Sequence, residues 1–363
     1  MELADQEPNL NQQKMPADPQ NQISRRMAGQ GIIAALAGKL CLENVACEPG
    51  LLSKMKSIPN VFLSLPEIRQ NQYTFAHHLH LPYYVRNENE TERLQRKPLP
   101  LVILFGGNGM GAVRHSDQTS HMAHALNRAG IAALDFPYPA QVSSEVFQKS
   151  IISRINDLLT SRELADNHID RTRIAFAGFS AGGLLATLLA TKYYSELQFQ
   201  PVAALNYYGP VDLRLWFAFH QARAAANRVS DFFRGQRSGP ETGFSAGGPI
   251  RCDELSRSVI AKVSDNMGGL RPGSLAPFSQ DELWFDHQTN PEKYQHAPVL
   301  GVFGRNDDNC DAVFQSKLME KLAGISGISH EFRFYNGPHG VHWDACQESM
   351  DWLENRLNRP VIA

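Results

Sequence analysis

The sequence predicts a doubly wound α/β architecture on a mostly parallel sheet. Three observations predict it. Short runs such as Leu101-Val102-Ile103-Leu104-Phe105 are apolar without alternation, as expected of strands buried on both faces. Segments of helical apolar spacing lie between these runs. The alternation of the two persists from residue 101 to residue 357 and is broken once, by Asp212–Asn290.

Taken in order, Tyr73–Arg86 alternates enough for an early strand pair. His78 and His80 would share one face of it, without an evident third residue to make a metal site. A charged linker with Pro98 and Pro100 leads to the strand Leu101–Phe105. A glycine-rich turn follows it, then a helix over Thr119–Arg128 and a strand over Ile131–Asp135. Ser144–Arg162 reads as a helix, Arg173–Ala177 as a strand and Gly182–Tyr194 as a helix. Val202–Tyr207 and Val299–Phe303 are further strands. Ala312–Ala323 is a helix, Glu331–Tyr335 a strand and Trp343–Leu357 the closing helix. Asp212–Asn290 has no clear strand and carries Trp216, Phe217, Phe219, Phe232, Phe233, Trp284 and Phe285. An insertion of that length between two sheet strands predicts a helical or irregular lid, or an added subdomain.

Bulk properties bound the rest. With 363 residues, 42% apolar and 20% charged, the chain can bury one large domain, expected over 58–363 with the lid at about 212–290. A net charge of -2 gives no basic surface for nucleic acid, and no apolar run reaches the length of a membrane span. Residues 1–23 are polar and read as disordered. Ser24-Arg25-Arg26-Met27, a weak apolar stretch over Gly31–Leu42 and Val45-Ala46-Cys47 match a degenerate twin-arginine export signal. Lys39 and Glu43 interrupt the apolar stretch, which also suits a surface helix, so export and cytoplasm both stay open. Five widely spaced cysteines form no CxxC pair and no disulfide scaffold.

Chemistry enters at Gly178-Phe179-Ser180-Ala181-Gly182, a G-x-S-x-G pentapeptide. Its serine must sit in a strained turn between strand and helix, so its neighbours must be small. The same five letters recur at Gly243-Phe244-Ser245-Ala246-Gly247. Context separates them. The apolar run Ile174–Ala177 precedes Ser180 and Leu184–Leu189 follows it. Ser245 lies between Gly239-Pro240 and Gly248-Pro249, two turn signals.

A serine needs a base and an orienting acid. After the strand ending at Phe303 comes Gly304-Arg305-Asn306-Asp307-Asp308. After the strand ending at Tyr335 comes Asn336-Gly337-Pro338-His339-Gly340. Together these segments resemble the α/β-hydrolase superfamily, near its dienelactone hydrolase-like and acyl-esterase branches, from about residue 73 to the C-terminus apart from the lid. The resemblance implies Ser180 as nucleophile, Asp307 as acid and His339 as base, with Asp308, Asp311 and His342 as rivals. It implies an oxyanion hole from the N–H of Ala181 and of Gly107 or Asn108. Phe105 stands where many members carry histidine, which leaves that second donor open. The implied reaction is cleavage of a small acyl ester through an acyl-enzyme, without metal or organic cofactor. Peptidase and thioesterase activity are alternatives on the same fold, and oligomeric state is not legible.

Two further expectations stand beside this one. Gly107-Asn108-Gly109-Met110-Gly111-Ala112 also fits a dinucleotide fingerprint, with Asp135 in place for a ribose of NAD(P). Cys310 and Cys346 follow the acid and base segments closely enough to be bridged if those segments converge, the alternative being two free buried thiols.

Overall fold

The computed structural model describes residues 77–85, 89–111, 113, 116–139, 144–233, 258, 260–265, 267, 275–280, 296–326, 330–340 and 343–358. Among them one sheet has seven strands: β1 (His78–His80), β2 (Leu99–Phe105), β3 (Ala132–Asp135), β4 (Ile169–Phe179), β5 (Ala203–Tyr207), β6 (Val299–Gly304) and β7 (Glu331–Tyr335). Their order is β1-β3-β2-β4-β5-β6-β7. Only the β1–β3 pair among these is antiparallel.

Every residue of β2 is buried, because helices cover both faces. Val102 and Leu104 join Met122, Leu126, Leu205, Val302 and Leu353 in one core, beneath the helices Asp117–Arg128 and Trp343–Leu357. Side chains alternate along a strand, so Phe105 points to the other face, where it meets Phe136 and Phe176. The helix Ala181–Ala190 lies against β4, β5 and β2 and is buried over all ten residues. This is a doubly wound, mostly parallel sheet of the α/β-hydrolase type.

Strand register positions the site. Phe105 pairs with Gly178, Phe179 with Tyr207, Tyr207 with Val302, and Gly304 with Tyr335. The carboxyl ends of β2, β4, β5, β6 and β7 therefore form one edge, and the loops leaving them converge there.

The structure corrects several element boundaries. Of the expected strand pair over Tyr73–Arg86, the described residues 77–85 contain one three-residue strand, which pairs with β3; the rest lies outside the described residues. The expected helix Ser144–Arg162 stops at Thr160. Ser161 then caps a second helix, Arg162–Asp166, by accepting from Leu164 N at 3.4 Å. The helix after Ser180 ends at Ala190 rather than Tyr194, where Thr191 turns off the axis and its hydroxyl donates back to Thr187 O at 2.7 Å. Strand β4 begins at Ile169, four residues before the expected start at Arg173. The insertion opens as a regular helix, Leu213–Phe233. The expected domain start near 58, the twin-arginine segment and Ser245 all lie outside the described residues.

Candidate active site

Ser180 sits between β4 and the helix Ala181–Ala190 with φ 53° and ψ -119°. That conformation is costly for any residue with a Cβ. The surroundings over-determine it. Its N–H donates to Tyr207 O at 2.9 Å, and its carbonyl accepts from Gly183 N at 2.9 Å and Leu184 N at 3.2 Å. The motif glycines let the turn close. A Cβ on Gly178 would run into the Gly182 carbonyl, and one on Gly182 into the Phe105 carbonyl.

The two loops beyond β6 and β7 meet in front of Ser180. His339 Nε2 lies 3.0 Å from Ser180 Oγ, and its Nδ1 lies 2.8 Å from Asp307 Oδ2. A carboxylate only accepts, so Nδ1 carries the ring proton and Nε2 is the acceptor in the neutral imidazole. The Asp307 side chain has no exposure, against 23% for His339. Its buried charge is met by two peptide donors, Asn309 N and Cys310 N, each 2.8 Å from Oδ1.

The loops also hold each other. Arg305 N donates to Tyr335 O at 2.9 Å and Asn306 N to Gly337 O at 3.0 Å. The Tyr335 hydroxyl, held in its neutral form by burial, donates to Gly340 O at 2.6 Å and lies 3.1 Å from Pro338 O. It thus braces both sides of His339. The Tyr208 ring meets the imidazole edge to face at 4.7 Å between centroids. Sequence reasoning missed Tyr335, Tyr208 and Asn206, whose amide oxygen accepts from Gly209 N at 2.8 Å beneath the serine turn. Each is an ordinary strand-end residue until the tertiary fold gives it a neighbour.

The rivals for the acid are otherwise engaged. Asp308 is 56% exposed and paired with Arg223 at 2.9 Å. Asp311 caps the helix Ala312–Ser326 by accepting from Phe314 N at 2.8 Å. His342 is outside the described residues.

After β2 the turn is pinned by Tyr138, whose hydroxyl donates to Gly106 O at 2.5 Å. Gly107 lies directly over the serine, since a Cβ there would come within 2.8 Å of Ser180 Cβ. Among the described residues, the N–H groups of Gly107 and Ala181 donate to no backbone carbonyl. Asn108, the other expected donor, sits in a tight turn where its carbonyl accepts from Gly111 N at 2.7 Å.

The dinucleotide expectation meets two obstacles. The helix after these glycines starts at Asp117, capped by Ser116, well beyond the turn. Asp135 is fully buried and accepts from the Thr119 hydroxyl at 3.0 Å, out of reach of a ribose. Cys310 and Cys346 are free buried thiols, not the bridge considered from sequence. The His78 and His80 rings stack at 4.3 Å, and among the described residues no group of three His, Cys, Asp or Glu side chains is placed to hold a metal.

The described parts of the insertion do two things. Its first helix packs against the loop after β6, through Trp216, His220 and Arg223. Residues 275–280 return to the far end of the helix behind Ser180, where Ser279 O accepts from Lys192 Nζ at 3.0 Å. Ten helical residues at 1.5 Å each put that contact about 15 Å from the serine. Most of the expected lid beyond residue 233 lies outside the described residues. Asp212 joins the two portions by accepting from Ser279 Oγ at 2.9 Å and from Gln280 N at 2.6 Å.

Family models and curated proteins give no match to this chain. Among solved structures it is similar to an esterase from Pyrobaculum calidifontis, with 17% identity, a TM-score of 0.48, and 72% of this chain and 76% of that one covered. It is also similar to esterase B from Lactobacillus Rhamnosis, with 14% identity, a TM-score of 0.49 and coverage of 91% and 95%. A carboxylesterase from Lactobacillus plantarum is similar at 15% identity, with a TM-score of 0.46 and coverage of 72% and 88%. Among the described residues no helix is long and apolar enough to cross a membrane.

Proposed function

We propose that this chain is a serine hydrolase that cleaves small carboxylic esters, of the dienelactone hydrolase-like or acyl-esterase kind. The observation that carries the proposal is the unbroken line from Asp307 Oδ2 through His339 to Ser180 Oγ, with contacts of 2.8 and 3.0 Å. His339 Nε2 takes the hydroxyl proton as Ser180 Oγ attacks the ester carbonyl. Asp307 fixes the tautomer and stabilises the imidazolium that forms. Negative charge on the carbonyl oxygen is received by the N–H groups of Ala181 and Gly107. Gly107 is favoured over Asn108 by its contact with the serine. His339 then gives its proton to the departing alkoxide, and water resolves the acyl-enzyme by the same proton path in reverse.

The test is covalent. A fluorophosphonate should label one serine, and peptide mapping should place the label on Ser180. Ser180→Ala should lose both the label and turnover of a short-acyl aryl ester, with the circular dichroism unchanged. A label on Ser245, or full turnover in Ser180→Ala, would refute the assignment.

A further inference from the structure

We infer that Trp216 and His220, on the first helix of the insertion, are positioning residues that hold the acid in place through a single peptide group. The inference rests on the roles proposed above for Ser180, His339 and Asp307. The Trp216 indole Nε1–H donates to Asn309 O at 2.6 Å, and His220 Nε2 lies 2.8 Å from the same oxygen. A carbonyl only accepts, so the imidazole donates from Nε2. Both side chains are buried, at 3% and 0% exposure.

The carbonyl of Asn309 and the N–H of Cys310 belong to one peptide plane, and in a trans peptide they point in opposite directions. Fixing the oxygen therefore fixes the N–H. That N–H is one of the two donors to Asp307 Oδ1, at 2.8 Å, and Oδ2 of the same carboxylate holds His339 Nδ1. The insertion thus reaches the imidazole through a rigid chain of contacts: two buried side chains, a planar peptide and a carboxylate. The two rings also brace one another, with centroids 4.5 Å apart.

A third contact from the same helix gives an internal comparison. Arg223 reaches Asp308 O at 3.2 Å and the Asp308 carboxylate at 2.9 Å. Asp308 O shares a peptide plane with the Asn309 N–H, the second donor to Asp307 Oδ1. Arg223 therefore grips the acid too, but through a longer contact and beside an exposed carboxylate, so its loss should cost less than that of Trp216 or His220.

The test uses the full chain with Trp216→Phe, His220→Leu, His220→Gln and Arg223→Gln, assayed on a short-acyl aryl ester. Trp216→Phe and His220→Leu should lower kcat roughly 10- to 100-fold with KM unchanged. Both should slow fluorophosphonate labelling of Ser180. The downfield proton resonance of His339 Nδ1 should shift or broaden in both, at a temperature where each remains folded by near-ultraviolet dichroism. His220→Gln, whose amide can still donate, should recover most of kcat. Arg223→Gln should lower kcat less than either Trp216→Phe or His220→Leu. Should His220→Leu not fold, Trp216→Phe and His220→Gln carry the comparison. Folded variants with parental kcat and an unmoved resonance would overturn the inference while Ser180→Ala stays inactive. Turnover surviving in Ser180→Ala would overturn the triad itself.

Discussion

Asp307 is held from behind by Cys310: the Cys310 N–H donates to Oδ1 at 2.8 Å, opposite the oxygen that faces His339. The carboxylate has no free rotation left and no solvent exposure on its side chain.

Asp307→Asn should therefore be severe. One face of the amide must present NH2, either to His339 Nδ1, which forces the wrong tautomer, or to the N–H groups of Asn309 and Cys310. The expected loss in kcat is roughly 10³- to 10⁴-fold. Asp308→Asn should leave kcat near the parent's, because that carboxylate is exposed and paired with Arg223. The reverse pattern in steady-state kinetics would move the acid by one residue.

Gly107→Ala should cost activity more than stability. The added methyl meets Phe179 O at 2.5 Å and Ser180 Cβ at 2.8 Å, which pushes the turn off the serine. Loss of one oxyanion donor is worth roughly 10²- to 10³-fold in kcat. Asn108→Ala keeps every backbone N–H and should be mild. Parental kcat in a folded Gly107→Ala would reassign the donor.

Folding stability should fall as pH drops from 6.5 towards 4. Burial lowers both His220 and His330 from 6.5 to about 4. In that window the unfolded chain binds protons that the native state refuses, so stability is full above 6.5 and declines through the interval. Each shift is worth about 3 kcal/mol. At His330 the mechanism is visible, because Nδ1 accepts from Val299 N at 3.1 Å and cannot do so once protonated. Urea midpoints at pH 7, 5.5 and 4.5 should show this decline, flattened in His330→Gln; an unchanged slope in that variant would contradict the assignment.

The thiols should be silent in the native protein. Cys310 and Cys346 are buried, at 3% and 5% exposure. Burial pushes the Cys346 thiol up to about 11 and the Cys310 thiol well above its ordinary value, so neither supplies much thiolate. Iodoacetamide should modify them only after unfolding. Fast modification of the native chain, or a peptide linking 310 to 346, would contradict the structure.

Local demands in the sequence led to Ser180 and to the two turn segments after the later strands, and the resemblance to α/β hydrolases picked Asp307 and His339 within them. A buried strand must end, a tight turn must follow, and the residue type in that turn is chemically telling. The pairing of β1 with β3 was not legible, since three residues carry too little pattern to choose a partner. The insertion's role was missed for another reason. Leu213, Trp216, Phe217 and His220 stand at helical spacing, a signal that was present. What they would press against, a carbonyl 89 residues away from His220, is a property of the folded chain alone.

A short ladder ties the loops after β6 and β7, which carry Asp307 and His339, to one another. Arg305 and Asn306 are tied to Tyr335 and Gly337 through main-chain atoms, so side-chain replacement at those four positions does not by itself release the pair. Ser180 is rooted in β4, and β5 lies between β4 and β6. A shear between β4 and β5, or between β5 and β6, would therefore fall on the 3.0 Å contact between His339 and Ser180 rather than on that between Asp307 and His339. That contact is the joint of the machine. Under the proposed mechanism the proton passes across that contact, so a shear there would show in turnover.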